Sequence, residues 1–398
     1  MYSEGAEPQK RRIKPGSQSA LKAFNQRSVT QRLLGSASLT QAELSRATGL
    51  STASISNIVR ALVQDGIAET SPTISSGRRA LLVRLSNNGA VSVGIDFGRS
   101  HVRIVIVTLD YRIVAEQTLS LEIRYSALHA LSLAAERLDA MLCEFHIPRT
   151  AVLGVGVGIP GPINLRSQTV IHGNVLPEWI GVSVSDIENH MRFPVVIDND
   201  ANLGALCEVT WGPHSSTENL IFIKVGTGIG AGLIINGRQF KGALGLSGEV
   251  GHIPTSEHGL LCRCGNRGCL ETVASTRIMI ERLSLSEHPS STTADIVRLA
   301  LDGDSETRRV VEDAGFAIGR MAAILSDVLN PHAVVIGGPL SAMGEVFLEP
   351  IRRGLNQYAM PLISETTTVT ASSFGDRAEA LGAAALVLSQ QDIHPFVV

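Results

Sequence analysis

The chain has 398 residues, 44% hydrophobic but only 4% aromatic, with 38 glycines and a formal net charge of −3. That length allows two or three domains with sizeable cores, and so many glycines suit an α/β protein with many strand-to-loop turns. No apolar run approaches the roughly 18 residues of a membrane span, since Val152–Ile159 is short and ends at Pro160, and the polar start from Met1 to Pro15 lacks the core of a signal peptide.

Charge is unevenly spread. Residues 1–85 hold twelve Lys/Arg against five Asp/Glu, a net +7, while the remaining 313 hold 22 against 32, a net −10. A basic front on an acidic body points to a polyanionic partner for the front. Residues 1–20, rich in Gly, Pro, Ser and Lys/Arg, read as a disordered basic leader. A helical pattern then runs from Leu21 through Phe24, Val29, Leu33 and Leu34 to Gly35. Thr40 with Glu43 makes a capping box, Leu44 faces inward and Gly49 makes a turn. Ser51 caps a second helix with Ile55, Ile58, Val59, Leu62 and Val63 on its apolar face. Its outward positions Thr52, Ser54, Ser56, Asn57 and Arg60 suit base edges and phosphates. Strands are predicted at Ile67–Thr70 and Ala80–Leu85, around a tip whose Arg78 and Arg79 could reach a minor groove or phosphates. Together these features predict a winged helix-turn-helix over residues 21–87 that binds double-stranded operator DNA. A helical hairpin with a merely basic surface is the alternative.

Asn87-Asn88-Gly89 marks a junction, and residues 88–398 read as an α/β body. Strands are predicted at Val91–Phe97 and Val102–Thr108, with Asp96, Gly98 and Arg99 at their joint. An Asp-x-Gly at such a joint resembles the first phosphate loop of actin-like and sugar-kinase ATPases, where glycine lets backbone amides approach a phosphate. A helix over Leu128–Phe145 carries Leu131, Ala134, Leu138, Met141 and Leu142 on one face, and Cys143 and Cys207 read as lone buried thiols. Asn199 and Asp200 follow the strand Val195–Ile197, at the strand end where α/β folds bind ligands. Asp200 is a candidate general base for a sugar hydroxyl, or its hydrogen-bond acceptor; a helix cap is the plainer role. Leu220–Val225 runs into Gly226-Thr227-Gly228, a second phosphate-type loop, and Ala333–Gly338 is a further buried strand. The last helix is predicted from about Arg377 to Leu388.

The most telling stretch is Gly248 to Glu271. His252 and Cys262, Cys264 and Cys269 make a Cys3His set, the donor count of a closed, structural zinc site. Ordinary reduced cysteines in a loop are the alternative, but this segment is too polar and glycine-rich to be held by burial, and a metal would supply the missing folding free energy. Glu249 and Glu271 flank the set, and the motif residues include no cationic cluster suited to a sugar phosphate.

Gly-Glu-Val-Gly-His (248–252), Cys-x-Cys-Gly-x2-Gly-Cys-Leu-Glu (262–271), Asn-Asp-Ala-Asn (199–202) and the run Gly226 to Gly232 together resemble the ROK family (repressors, open reading frames and kinases), in its xylose- and N-acetylglucosamine-repressor branch. The resemblance covers residues 21–398. It implies a two-lobed actin-like, sugar-kinase-like (ribonuclease H-like) body behind the winged helix-turn-helix. It further implies that Asn199, Asp200, Glu249, His252 and Glu271 grip sugar hydroxyls, with His252 shared between sugar and zinc, and that the protein is a homodimer or homotetramer. The missing cationic cluster points to a small neutral sugar, the His/Cys spacing to one zinc per chain, and the clustered cysteines to a reducing bacterial cytoplasm, on the nucleoid when DNA-bound. Kinases of the family carry a second glycine where this chain has Arg99. A regulator rather than an enzyme is therefore expected, and an active sugar kinase with Asp200 as its base is the alternative.

Overall fold

The computed structural model describes residues 25, 26, 28–30, 32, 33, 38–75, 78–86, 89–164, 167, 169–171, 176–215, 217–284 and 290–390. They divide into two units, one within residues 1–88 and the other Gly89–Gln390. In the first, the Glu43 amide donates to Thr40 Oγ1 at 3.3 Å and the Thr40 amide to Glu43 Oε2 at 2.7 Å, so the capping box opens helix Gln41–Thr48. Gly49, at φ 70°, ends it with a left-handed turn. Ser51 Oγ accepts from the Ser54 amide at 3.1 Å and caps helix Thr52–Gln64. Leu44, Ile55, Val59 and Leu62 are buried with Val29 and Leu33, whereas Val63, expected among them, is 39% exposed. It lies at the margin of an apolar stripe only about 100° wide. Leu21, Phe24, Leu34 and Gly35 lie outside the described residues.

β1 (Leu39–Thr40), β2 (Ala68–Ser75) and β3 (Arg78–Leu85) form an antiparallel sheet in the order β1-β3-β2. Both wing strands are longer than the sequence suggested. Ser75 pairs with Arg78, so Arg78 and Arg79 begin β3 instead of sitting at a loop tip. Backbone pairing continues past the apolar residues because a solvated ribbon needs no buried side chain on each rung.

In the second unit, β4 (Val91–Phe97), β5 (His101–Thr108), β6 (Ile113–Ser120), β7 (Val152–Ile159) and β10 (Val195–Asn199) make one sheet, ordered β10-β7-β4-β5-β6. A short antiparallel pair, β8 (Ile163–Asn164) and β9 (Thr169–Val170), stands apart from it. β11 (Leu220–Val225), β12 (Ile229–Ile235), β13 (Arg238–Gln239), β14 (Ala333–Gly337) and β15 (Thr368–Ala371) make the other, ordered β13-β12-β11-β14-β15. Each sheet is an antiparallel three-strand meander extended by two parallel strands on its other side. One topology is thus used twice, and each sheet has its own apolar core.

Two helices occupy the space between the sheets. Helix Asp200–Trp211 packs on β11 and β12, helix Ala378–Gln390 packs on β4 and β7, and the two pack on each other. Small residues make this possible: a Cβ at Gly94 in β4 would stand 1.9 Å from the Ala380 carbonyl oxygen. Helix Ala127–Glu144 covers the first sheet with the five predicted apolar residues buried. Cys143, expected to be buried, is exposed because it falls off that face, while Cys207 is buried as expected. Helices Ser305–Leu329 and Glu345–Tyr358 pack together against the second sheet's core.

Candidate functional site

The ends of β10 and β11 and the heads of the two central helices meet at one crevice. Asn199 caps helix Asp200–Trp211: its Oδ1 accepts from the Ala201 amide and its Nδ2 donates to the Gly161 carbonyl, each at 2.9 Å. Part of its hydrogen-bonding capacity is therefore spent on holding the loop after β7. Asp200 Oδ2 lies 2.8 Å from Lys224 Nζ, and the same ammonium lies 2.8 Å from Glu379 Oε1, on the first turn of the last helix. Asp198 Oδ2 pairs with Lys241 Nζ at 2.6 Å. Burial opposes the charge on Lys224, but Asp200, Glu379 and Asp96 outweigh it and hold its pKa well above the usual lysine range. Burial first, then Asp96 and Asp200, push Glu379 up to about 7 against the pull of Lys224.

Glu249 and Glu271 approach this crevice from the other motif. Burial pushes Glu249 up to about 7, reinforced by the charges of Asp200 and Glu271 and opposed by Arg263. Glu271 is 2% exposed, with Oε1 2.7 Å from Arg263 Nε. Gly248 sets the approach: at φ 91°, a Cβ there would lie 1.8 Å from the Ala231 carbonyl oxygen, so only glycine brings Glu249 this close to β12. The crevice thus lines up carboxylates, which accept from hydroxyls. It also holds three cations that the sequence did not announce. Lys224, Lys241 and Arg263 are each paired with a carboxylate, which leaves acid in excess.

The first phosphate-type loop is filled by its own side chain. A Cβ at Gly98 would stand 2.0 Å from His101 Cε1, which puts the imidazole directly over the glycine. His101 Nε2 is 3.2 Å from Asp96 Oδ2. Burial raises the Asp96 carboxyl, but this hydrogen bond and the Lys224 charge more than offset it and hold its pKa below the usual range. Arg99 is exposed beside the loop. The second loop stays open at Gly226, where a Cβ would meet only the Gly228 carbonyl oxygen, at 3.9 Å; the Gly226 amide donates to that carbonyl at 2.9 Å, with Thr227 between them.

The Cys/His segment folds as a small hairpin, in which the Cys262 amide donates to Asn266 at 2.7 Å and the Gly265 amide to Cys262 at 2.9 Å. One ligand atom from each of His252, Cys262, Cys264 and Cys269 lies within 4.8 Å of the others, a cluster that could hold a metal ion. Cys264 Sγ is 3.7 Å from Cys269 Sγ, and His252 Nδ1 is 3.6 Å from Cys262 Sγ. A tetrahedron with metal–sulfur bonds of about 2.3 Å and metal–nitrogen bonds of about 2.1 Å has edges of about 3.8 and 3.6 Å. Those two edges match such a site, and the remaining donor pairs lie within 4.8 Å. His252 turns Nδ1 towards the thiols, which leaves Nε2 outside that contact.

On the winged helix, Thr52, Asn57 and Arg60 are exposed, while Ser54 and Ser56 are half-buried. Ser54 Oγ lies 2.9 Å from Ser51 Oγ within the cap, and Arg60 donates to Asn57 Oδ1 at 3.3 Å. Arg79 is exposed on β3, and the side chain of Arg78 lies outside the described residues.

Sequence reading overlooked Lys224, Lys241, Arg263 and Glu379. A signal existed for two of them: Lys224 is the one charged residue in Leu220–Val225, and Glu379 is the one acid in an alanine-rich helix.

A model of winged helix-turn-helix DNA-binding domains matches residues 31–69. A xylose repressor of Caldicellulosiruptor bescii is 29% identical over 396 residues, covering 96% of this chain and 99% of that protein. A glucokinase of Halalkalibacterium halodurans is 31% identical over 316 residues, covering 75% of this chain and 96% of the kinase. The crystal structure of a ROK family transcriptional regulator, a homologue of the E. coli MLC protein, superposes with a TM-score of 0.74 at 24% identity, covering 93% of this chain and 96% of that one, and shares the fold. The ROK family model itself matches residues 92–390, which takes in the crevice, both glycine loops and the Cys/His cluster, and the chain therefore belongs to the ROK family.

Proposed function

We propose that this protein is a transcriptional repressor of carbohydrate-metabolism genes. Its winged helix grips double-stranded operator DNA, and its crevice binds a neutral sugar that alters operator affinity. One observation carries the reading: an acid set suited to a polyol stands beside a first phosphate loop that His101 fills. Such a crevice keeps the means to bind a sugar while its phosphate notch is taken. The match to a xylose repressor runs through the winged helix, whereas the glucokinase match covers only 75% of the chain.

In this reading Asn199, Asp200, Glu249, His252 and Glu271 meet sugar hydroxyls. Thr52, Ser54, Ser56, Asn57, Arg60, Arg78 and Arg79 face DNA. His252, Cys262, Cys264 and Cys269 hold one structural zinc, since three soft thiolates and an imidazole favour that ion over hard cations. Residues 21–87 act as the DNA-binding domain and 88–398 as the sensor, in a homodimer or homotetramer working in the bacterial cytoplasm on the nucleoid. Among the described residues, no helix is long and apolar enough to cross a membrane.

The test is to select a DNA target from random duplexes with the purified protein, then measure its affinity with a panel of monosaccharides and their phosphates. A neutral sugar should change the affinity and its phosphate should not. Failure to select any sequence would end the reading. Asp200 and the open second loop favour the sugar-kinase alternative, which a coupled ADP assay decides. Turnover on the order of 10 per second would establish an enzyme.

A further inference from the structure

Helix Ser305–Leu329 is apolar on both of its faces near its C-terminal end. Its inner face gives Ile318, Met321 and Ala322 to the second sheet's core, yet Ile324 and Val328 are 47% and 75% exposed. These two continue a ridge of every fourth residue that begins with Phe316 and Arg320 and runs about 18 Å. The end of helix Glu345–Tyr358 widens the ridge. The Tyr358 ring lies 6.0 Å from that of Phe316 and 5.1 Å from the Arg320 guanidinium carbon. Asp327 Oδ1 accepts from the Met360 amide at 3.0 Å, which brings Met360 to the Val328 end. Tyr358 and Met360 are themselves 45% and 59% exposed, so four large apolar side chains share one surface. Contiguous apolar surface of this kind marks an interface, and Tyr and Arg are among the residues that anchor one.

Charge says what covers it. Among the described residues, Arg353 on the neighbouring helix is paired with Glu312, whereas exposed Arg320 and Asp327 have no ion-pair partner. They stand two turns apart, about 10 Å, with Ile324 between them, too far to meet on one helix. A second copy of the ridge, laid antiparallel about a two-fold axis at Ile324, sets Arg320 against Asp327 of the partner subunit. Symmetry then makes the pair twice. We propose that this face joins two copies of the chain, with Ile324 at the axis and Arg320 and Asp327 as reciprocal partners; the proposal rests on the homo-oligomer in the repressor reading. The same helix packs on Glu271–Ala274, so the interface and the crevice share one apolar core.

Sedimentation equilibrium of the full chain over a concentration series reads out the assembly, and circular dichroism confirms that each variant is folded. Arg320→Glu and Asp327→Arg each set like charges against one another twice. Each should raise the dissociation constant at least about a hundredfold. The two together exchange the charges and should restore assembly. Ile324→Glu places two carboxylates at the axis and should dissociate the copies as well. Leu128→Glu, at a position 58% exposed on helix Ala127–Glu144, should leave the mass as in wild type.

An oligomer that survives Arg320→Glu and Ile324→Glu overturns this face and leaves the homo-oligomer standing. A monomeric wild type overturns both, and gives the face to a partner of another kind. A charge exchange that dissociates as fully as either single reversal refutes the antiparallel pairing. Should Asp327→Arg unfold for want of its bond to the Met360 amide, Arg320→Glu and Ile324→Glu still decide, since neither side chain makes that bond. None of these measurements involves sugar or DNA, so DNA recognition and effector binding are judged separately.

Discussion

At Glu249 burial and charge combine to make a group that titrates near neutrality. Its carboxyl is pushed from 4.5 up to about 7, so the folded protein holds this proton more tightly than the unfolded chain does. Stability therefore falls as pH rises from about 4.5 to about 7 and levels off above that. Glu379, also about 7, acts with the same sign. Chemical denaturation across that range should show a smaller slope for Glu249→Gln than for wild type, with the remainder carried by Glu379. For ligand binding, a sugar hydroxyl donating to Glu249 favours the ionised carboxylate. Sugar affinity should thus rise through pH 7 with release of a proton, seen by calorimetry in buffers of different ionisation enthalpy. A wild-type affinity as flat with pH as that of Glu249→Gln would remove Glu249 from the sugar's contacts. The preference for an uncharged sugar belongs to this scale too. Lys224, Lys241 and Arg263 are already committed to carboxylates, so a phosphate would have to break a buried pair to find a partner. Separating such a pair typically costs about 3–5 kcal/mol.

Among the elements, the Cys/His hairpin makes the firmest demand. Metal analysis of purified protein should find about one zinc per chain. Stripping it with a chelator should loosen the segment that carries Glu249 and Glu271, because a structural metal site couples local folding to metal binding. Cys262→Ser should lose the metal and bind sugar more weakly, and metal-free protein with unaltered sugar binding would contradict this. The winged helix makes a second demand. Arg60→Ala, or Arg79→Ala with Arg78→Ala, should weaken operator binding, and each lost phosphate contact should lower the slope of log K against log salt by about one. An unchanged slope would place these arginines away from DNA. Much of this architecture was legible in the sequence, because capping residues and apolar strands are local signals: Thr40 with Glu43, Ser51, and Leu220–Val225 all stand where their side chains dictate. The length of the wing was not legible, since polar rungs give no alternation to read. The clustering of Lys224, Asp200 and Glu379 was not legible either, because residues 24 and 179 positions from Asp200 meet only when the two sheets close around their shared helices. The clustering of His252 with Cys262, Cys264 and Cys269, by contrast, was local enough to be read directly.

At the level of the whole molecule, a sensor and a reader share one chain, and thermodynamics constrains how they communicate. If sugar changes operator affinity by some factor, operator must change sugar affinity by the same factor, with a coupling typically of about 1–3 kcal/mol. Such coupling requires two states for which the sugar has different affinities. Asp200 is the point to probe, because it is both a proposed sugar contact and one end of the Lys224 bridge. A sugar hydroxyl that engages Asp200 competes for it with Lys224, whose other ion pair ties β11 to the last helix, and so bears on how the lobes are held. Asp200→Asn keeps the shape of the side chain while weakening its pull on Lys224. It should cut sugar affinity and collapse the coupling towards zero. Operator binding without sugar should stay close to wild type, since the substitution lies outside residues 1–88. Operator affinity with and without saturating sugar, and sugar affinity with and without operator, form a closed cycle for wild type and for the variant. Wild type should show equal factors on opposite sides of that cycle, with either sign. An Asp200→Asn protein that binds sugar and responds to it as wild type does would move the effector site out of this crevice.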